Sequence, residues 1–530
     1  MKQLACVVVV VAACGPPSSG TRTDAPSGPQ VDAPAAIDAA PAGPPWHDFP
    51  AAPIIEPGAP ADAPDLFTDP GTASGGPCLL EPQIGALFPN NWVRPRFNLV
   101  PPAGQNLFEI RVHADDEAND LVAYTTSPLW TMPTTVWAGL AAHVVDQPIT
   151  LTVRGAVWNG TVLTLPPALG TTGPITIAPV AATGAIVYWT TSNGTSLKGF
   201  DVGEEVVHPV MTATQAGATE CIGCHSSTPD GKFVGFSAYD LASGDRNRRA
   251  DLRSTATATS PAFLTPAAVN LLARVDQNAP SFSAAHWTAG DHIALTMYRP
   301  RPSATTDIVW TNLEATAETQ GVGWGIVART GDTRSAASAT FSNDGTRVAY
   351  VSAPNVDQSG TAHDEGDLYT VPYASGAGGT ATPVAGASAA GTNEYYPDFS
   401  ADDRLLAFNR ATGGSYDNAT AEVFVVPSTG GTATRLLANT PNACLGTASP
   451  GVTNSWPKWS PQATTVGTRT FYWLTFSSRR GPGGVPQLYV TGVVTDGATV
   501  TTYPAIYLWN QPAAENNHTP AWDDFDIVVN

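Results

Sequence analysis

Basic residues are scarce in this chain. Its 530 residues include 25 Lys and Arg against 45 Asp and Glu, a formal net charge of −20. Nucleic acid and anionic membrane faces both call for clustered cations, so neither is expected as a partner. The acidic surface serves solubility and could also guide a basic redox partner. Charge of either sign is thin, at 13% of residues. Long helical patterns are hard to find. So are the signatures of common hydrolases: there is no G-x-S-x-G, no H-E-x-x-H and no P-loop. What the chain does have is 49 Gly, 48 Pro and 14 Trp, the composition of many short strands around bulky buried side chains. At this length one compact core is too little, and at least two domains plus tails are expected.

No apolar run is long enough to span a bilayer. The run from Leu4 to Ala13 has the length of a signal-peptide core, behind the positive Met1-Lys2. It ends in Val11-Ala12-Ala13-Cys14-Gly15, which resembles the bacterial lipoprotein signal. That resemblance implies cleavage after residue 13 and acylation of Cys14. An ordinary signal peptide with a chance cysteine is the alternative. Gly15 and Pro16 lack the Asp that, by the same resemblance, retains lipoproteins at the inner membrane, so the expected location is the outer membrane of the cell envelope. Residues 14–77 are rich in Pro, Ala, Gly and Asp and read as a flexible tether.

Six cysteines then sort themselves. Cys6 leaves with residues 1–13, Cys14 takes lipid, and Cys221 and Cys224 form a close pair. Cys78 and Cys444 remain, and in an oxidising compartment they either pair or stay as thiols.

Residues 78–180 carry short alternating runs such as Arg96–Val100, Leu107–Val112 and Ile149–Arg154, separated by turn-rich spacers. This predicts a β-sandwich similar to the immunoglobulin or fibronectin type III class. Beyond it a unit repeats. Phe341-Ser342-Asn343-Asp344-Gly345 precedes Val348–Val351, Phe399-Ser400-Ala401-Asp402-Asp403 precedes Leu405–Phe408, and Trp459-Ser460-Pro461 precedes Phe471–Leu474. Thr228-Pro229-Asp230-Gly231 likewise precedes Phe233–Phe236, and Phe282-Ser283 and Trp522–Asp524 are looser copies. The equivalent positions 227, 282, 341, 399, 459 and 522 keep a spacing of 55 to 63 residues. A steady period of this length means repetition of one supersecondary unit.

These repeats resemble those of six-bladed TolB-like β-propellers. The resemblance covers roughly residues 186–530, within an expected propeller domain of 181–530, and a count of five or seven blades is the alternative. It implies an all-β chain, with the phrase before each turn innermost in its blade. The chain's end would then supply the two inner strands of the last blade, and residues 186–206 its two outer strands. It also implies a docking role toward envelope proteins.

Cys221-Ile222-Gly223-Cys224-His225 is a haem-attachment motif: two thiols add to the porphyrin vinyl groups and the adjacent histidine meets the iron. A stapling disulfide, a thioredoxin-type pair and a zinc site compete with it. The thioredoxin pair lacks its βαβ setting and the zinc site lacks a fourth ligand. One covalent haem c is therefore expected, held by Cys221, Cys224 and His225. In the repeat alignment His225 matches Pro280, Ala339, Pro397, Pro457 and Pro520, positions expected to begin innermost strands and ring one mouth of the central channel. Asn278, Tyr395, Tyr396, Trp456 and His518 should surround it. His518 is the first candidate for the second iron ligand, followed by Met211 and His208, then His286 and His292. The expected function is electron transfer with an exported redox partner by a lipid-anchored monomer. A haem-free binding scaffold is the alternative, and an open iron site would instead suit a peroxidase-like enzyme.

Overall fold

The computed structural model describes residues 44–527 apart from 193, 219–220, 241–246, 275–278, 300–304 and 357–362. Cys14 and the signal segment lie outside the described residues, as does Asn278. Residues 45–530 make one compact unit. No helix among the described residues is long and apolar enough to cross a membrane.

Strands dominate, in keeping with the alternating pattern. In Arg96–Val100 the side chains of Phe97 and Leu99 are buried while Asn98 is only half-buried. The same two-residue period puts Ile149, Leu151 and Val153 inside along Pro148–Trp158. These strands belong to two sheets near the N-terminus. One has six strands in the order 54–55, 121–125, 107–113, 148–158, 163–177, 87–88; the other has three, 78–81, 96–100, 129–131. Residues 45–77 depart from the expected tether. Ile54–Ile55 pairs as a parallel edge strand, and Phe49, Ala63 and Phe67 are buried. A few apolar side chains in a Pro-rich segment suffice when a sheet edge is there to receive them.

From residue 185 onward, among the described residues, antiparallel sheets of three or more strands follow one another in a β-propeller arrangement, with two small two-stranded sheets beside them. Four begin with an innermost strand that matches a repeat: Cys221–Ser227, Ser335–Phe341, Asn393–Phe399 and Ser455–Trp459. The turns after them share one device. Thr228, Ser342 and Ser400 donate their hydroxyls to Asp230, Asp344 and Asp402 at 2.6, 2.6 and 2.8 Å. The carboxylates at the turns therefore cap hairpins, as their sequence context suggested. Gly231 and Gly345 take positive φ at the turn, and Asp403 stands at the corresponding place with φ 59°.

The loose copy at 282 has a physical reason. Among the described residues its innermost segment makes a single bridge, Ser281 to Leu295, and Ser283 caps a short helix, Ala284–Thr288, in place of a hairpin turn. Ring closure also differs from expectation. The chain's end supplies one strand, Asn517–Asp523, and Ala185–Thr190, Ser196–Asp201 and His208–Thr212 complete that sheet. Residues 185–190 thus take the second place that residues 525–529 were expected to fill.

The two regions share a core. Phe97, Ile110 and Val153 pack in the same cluster as Phe471, Trp473, Leu488 and Trp522 of the later sheets. A disulfide joins Cys78 to Cys444, 366 residues apart in sequence. Beside it, Asn442 donates from Nδ2 to the carbonyls of Leu79 and Leu80 at 2.7 and 3.1 Å.

Candidate functional site at the channel mouth

The innermost strands share an irregularity that a repeat alignment does not reveal. Each of four skips two residues in its pairing with the next strand: between Ile222 and His225, Ala337 and Thr340, Tyr395 and Asp398, and Ser455 and Lys458. The extra residues form a β-bulge, which turns side chains out of the ladder. At the first skipped position Ser338, Tyr396 and Trp456 take φ of 47°, 53° and 56°, and Thr519 does the same on the closing strand at 47°. Non-glycine residues in this region cost about 1–3 kcal/mol each and persist where the surroundings impose them. Cys224 matches these residues in the repeat alignment, but the bulge of its strand falls one residue earlier, so Gly223 is the first skipped residue and Cys224 the second. The bulge residues Cys224, Ser338, Tyr396, Trp456 and Thr519 all line one cavity of about 120 Å³ in the channel. The aligned positions His225, Pro280, Ala339, Pro397, Pro457 and Pro520 line that cavity with Tyr396 and Trp456, whereas Tyr395 and His518 do not. The aligned positions were expected to begin the innermost strands, but His225, Ala339, Pro397, Pro457 and Pro520 lie within them, and Pro280 lies in no strand.

Cys221 and Cys224 are half-buried and are not joined in a disulfide. Gly223 fits closely between them: a Cβ there would stand 3.2 Å from Ser237 Oγ. His225 is buried, with Nε2 3.0 Å from the carbonyl of Val187, while its Nδ1 makes no hydrogen bond. Burial pushes its pKa down to about 4. His518 is also buried, its ring edge-on to Trp189 at 4.7 Å and tilted against Trp456 at 5.3 Å, with Nδ1 2.9 Å from Thr519 Oγ1. Burial first, then the positive charges of Arg479 and His225, hold its pKa at about 4. Tyr396 and Trp456 stack at 5.7 Å.

The other candidate ligands stand elsewhere. Met211 and His208 are on the outer strand of the closing sheet, where Met211 packs in the core and His208 is 3.5 Å from Glu204. His286 is held by Asp291 and the carbonyl of Gly345, and His292 by Glu314 and the face of Phe263. Among the described residues no three His, Cys, Asp or Glu side chains converge as a zinc ion would require.

Deeper in the channel lies a polar chamber of about 110 Å³ that the sequence did not announce. Lys458 Nζ meets Asp398 at 2.6 Å, and Asp523 accepts from the backbone of Ser227 at 3.2 Å. Burial raises the Asp523 pKa to about 7, the neighbouring Asp398 adding to it. The signal was available: these residues adjoin the aromatic-Ser pair of each repeat.

The buried acid and imidazole act oppositely on stability. A carboxyl with a raised pKa binds its proton more tightly in the fold, so its contribution is lost as pH rises from about 4 to about 7. An imidazole with a lowered pKa contributes above its ordinary value of 6.5 and loses that as pH falls toward about 4. In haem-free protein, Asp523→Asn should therefore lose stability more steeply than wild type on acidification from pH 6.5 to 4. Parallel curves of urea midpoint against pH would refute this.

No protein-family model matches the chain, and no curated protein matches it. Among solved structures, a prolyl endopeptidase is 14% identical over 61% of this chain and 48% of its own, with a TM-score of 0.31. The β-propeller domain of the trilobed protease from Pyrococcus furiosus is 8% identical over 53% and 69%, with a TM-score of 0.28. Kuenenia stuttgartiensis hydrazine synthase is 13% identical over 53% and 70%, with a TM-score of 0.30. The chain spans about half the length of the endopeptidase. Likeness this weak decides nothing about function, and the propeller arrangement rests on the chain's own strand pairing.

Proposed function

We propose that this is an exported electron-transfer protein: a six-bladed, TolB-like propeller behind an immunoglobulin-like sandwich, anchored by lipid at Cys14 to the outer membrane. One haem c would be linked to Cys221 and Cys224. The observation that carries the reading is the placement of the CxxCH motif on an innermost strand, with Cys224 turned by a bulge onto the channel wall. The residues fit the group. Both thiols are partly accessible, and the adjacent imidazole keeps one nitrogen without a hydrogen bond although it is buried. Haem, when bound, supplies the one-electron chemistry.

The chain's own residues position and shield. His225 would hold the iron from one side, which draws its ring away from Val187, and His518 is the nearest second ligand by placement. Tyr396 and Trp456 present aromatic faces at the mouth and limit water there. The cavity below Cys224, about 120 Å³, is smaller than the roughly 300 Å³ at which small-molecule pockets begin, so it cannot enclose a porphyrin.

Visible spectra of protein matured with haem, oxidised and then reduced, test the proposal. A sharp reduced α-band is expected, and His518→Ala should convert it to a high-spin spectrum. A colourless protein would overturn the reading. One observation favours a haem-free binding scaffold instead: His225 is already hydrogen-bonded to Val187 and sealed from solvent. In that case His225→Ala should leave partner binding unchanged.

A further inference from the structure

A cavity of about 420 Å³ lies away from the channel, between the N-terminal sheets and the later sheets. That volume is within the range of small-molecule sites, and clefts between packed regions are where such sites concentrate. Its wall is fixed covalently and by hydrogen bonds, through the Cys78–Cys444 disulfide and Asn442. A site held this way is organised before a ligand arrives, which lowers the entropy lost on binding.

Three charged groups line it, one acidic and two basic: Glu81, Arg96 and Arg480. Arg96 binds Glu81 through Nε and Nη2 at 3.1 and 2.8 Å, and Asn98 donates to the same carboxylate at 3.1 Å. Those two charges cancel. Arg480 remains. Its side chain is 2% exposed, and no carboxylate among the described residues stands within ion-pair distance of it. Nε and Nη2 donate to Ser478, Ala438 and Asn454, all neutral acceptors, and Nη1 has no hydrogen-bond partner. The rings of Phe476 and Tyr489 lie 5.3 and 4.5 Å from the guanidinium carbon and supply part of the missing attraction. A buried guanidinium with a spare donor and no counter-charge is costly to keep, and an anion is the natural complement. Leu129, Val485 and Tyr507 make the rest of the wall largely apolar.

We infer that this cavity binds a small organic monocarboxylate, its carboxylate drawn to Arg480 and its apolar body packed on the Tyr489 side. The inference is independent of the haem.

Calorimetric titration of the full chain with benzoate, and with benzamide as the neutral isostere, tests it. Benzoate is expected to bind, and benzamide at least about tenfold more weakly, the loss of one charge-assisted contact. Arg480→Gln should abolish the preference. Because Arg480 is buried and its loss can unfold the chain, Ala513→Phe serves beside it: Ala513 is an exposed rim residue, and the added ring should block entry without disturbing the core. Loss of benzoate binding in Ala513→Phe supports the site. Equal affinity for the two probes, binding that survives Ala513→Phe, or no binding at roughly 10 mM benzoate would each overturn it.

Discussion

Replacing Cys221 and Cys224 together by alanine should remove all covalently bound haem while leaving the protein folded. The two sulfurs are the only proposed covalent links, and each single replacement should leave one thioether and a weaker gel stain. The fold should survive because neither thiol belongs to the core clusters. The strand Cys221–Ser227 is held by its ladder to Phe233–Asp240 and by Ile222 and Phe236 in the core below. The largest effect is thus on cofactor content, with only a small change in melting temperature. Haem stain persisting in the double variant would show attachment elsewhere. Unfolding of the variant would show that the pair is structural.

A second large effect is expected at the Cys78–Cys444 disulfide. It closes a loop of 366 residues, so the oxidised chain has far fewer unfolded conformations. Cys78→Ser with Cys444→Ser should cost about 3–5 kcal/mol, read as a lower urea midpoint against wild type. The shared core of the two regions bounds the effect from the other side. If Phe97, Ile110, Trp473 and Trp522 alone hold them together, the midpoint would not move, and the bond would be redundant. The same double variant should loosen the cavity at Arg480, whose wall Asn442 and the disulfide fix.

Much of the fold was legible because β-structure with one buried face writes itself in alternation. Phe97 and Leu99, or Ile149, Leu151 and Val153, show it directly. The hairpin turns were legible because Ser-x-Asp and Asp-Gly have few other uses at that spacing. Three features were not. The segment 45–77 has the composition of a tether, yet Phe49, Ile54 and Phe67 dock it. Whether a sparse apolar segment docks depends on an edge made elsewhere in the chain. The closing sheet takes one strand from the chain's end, since a register between residues 185–190 and 517–523 is non-local. The bulges escaped because their signature is positive φ at Tyr396, Trp456 and Ser338, residue types with no common preference for it. The motif itself was read from five residues. Its setting at the channel wall follows from the bulge, which only the pairing reveals.

The intact mass of the mature chain, purified from cells that mature haem in the exported compartment and compared with its Cys221→Ala, Cys224→Ala variant from the same cells, tests the central claim most directly. The wild-type protein should exceed the variant by the mass of one haem, beyond the two sulfur atoms that the substitutions remove, with Cys221 and Cys224 both unreactive to a thiol reagent. A wild-type protein without that increment, with both cysteines alkylated, would contradict the haem and leave the propeller as a binding scaffold.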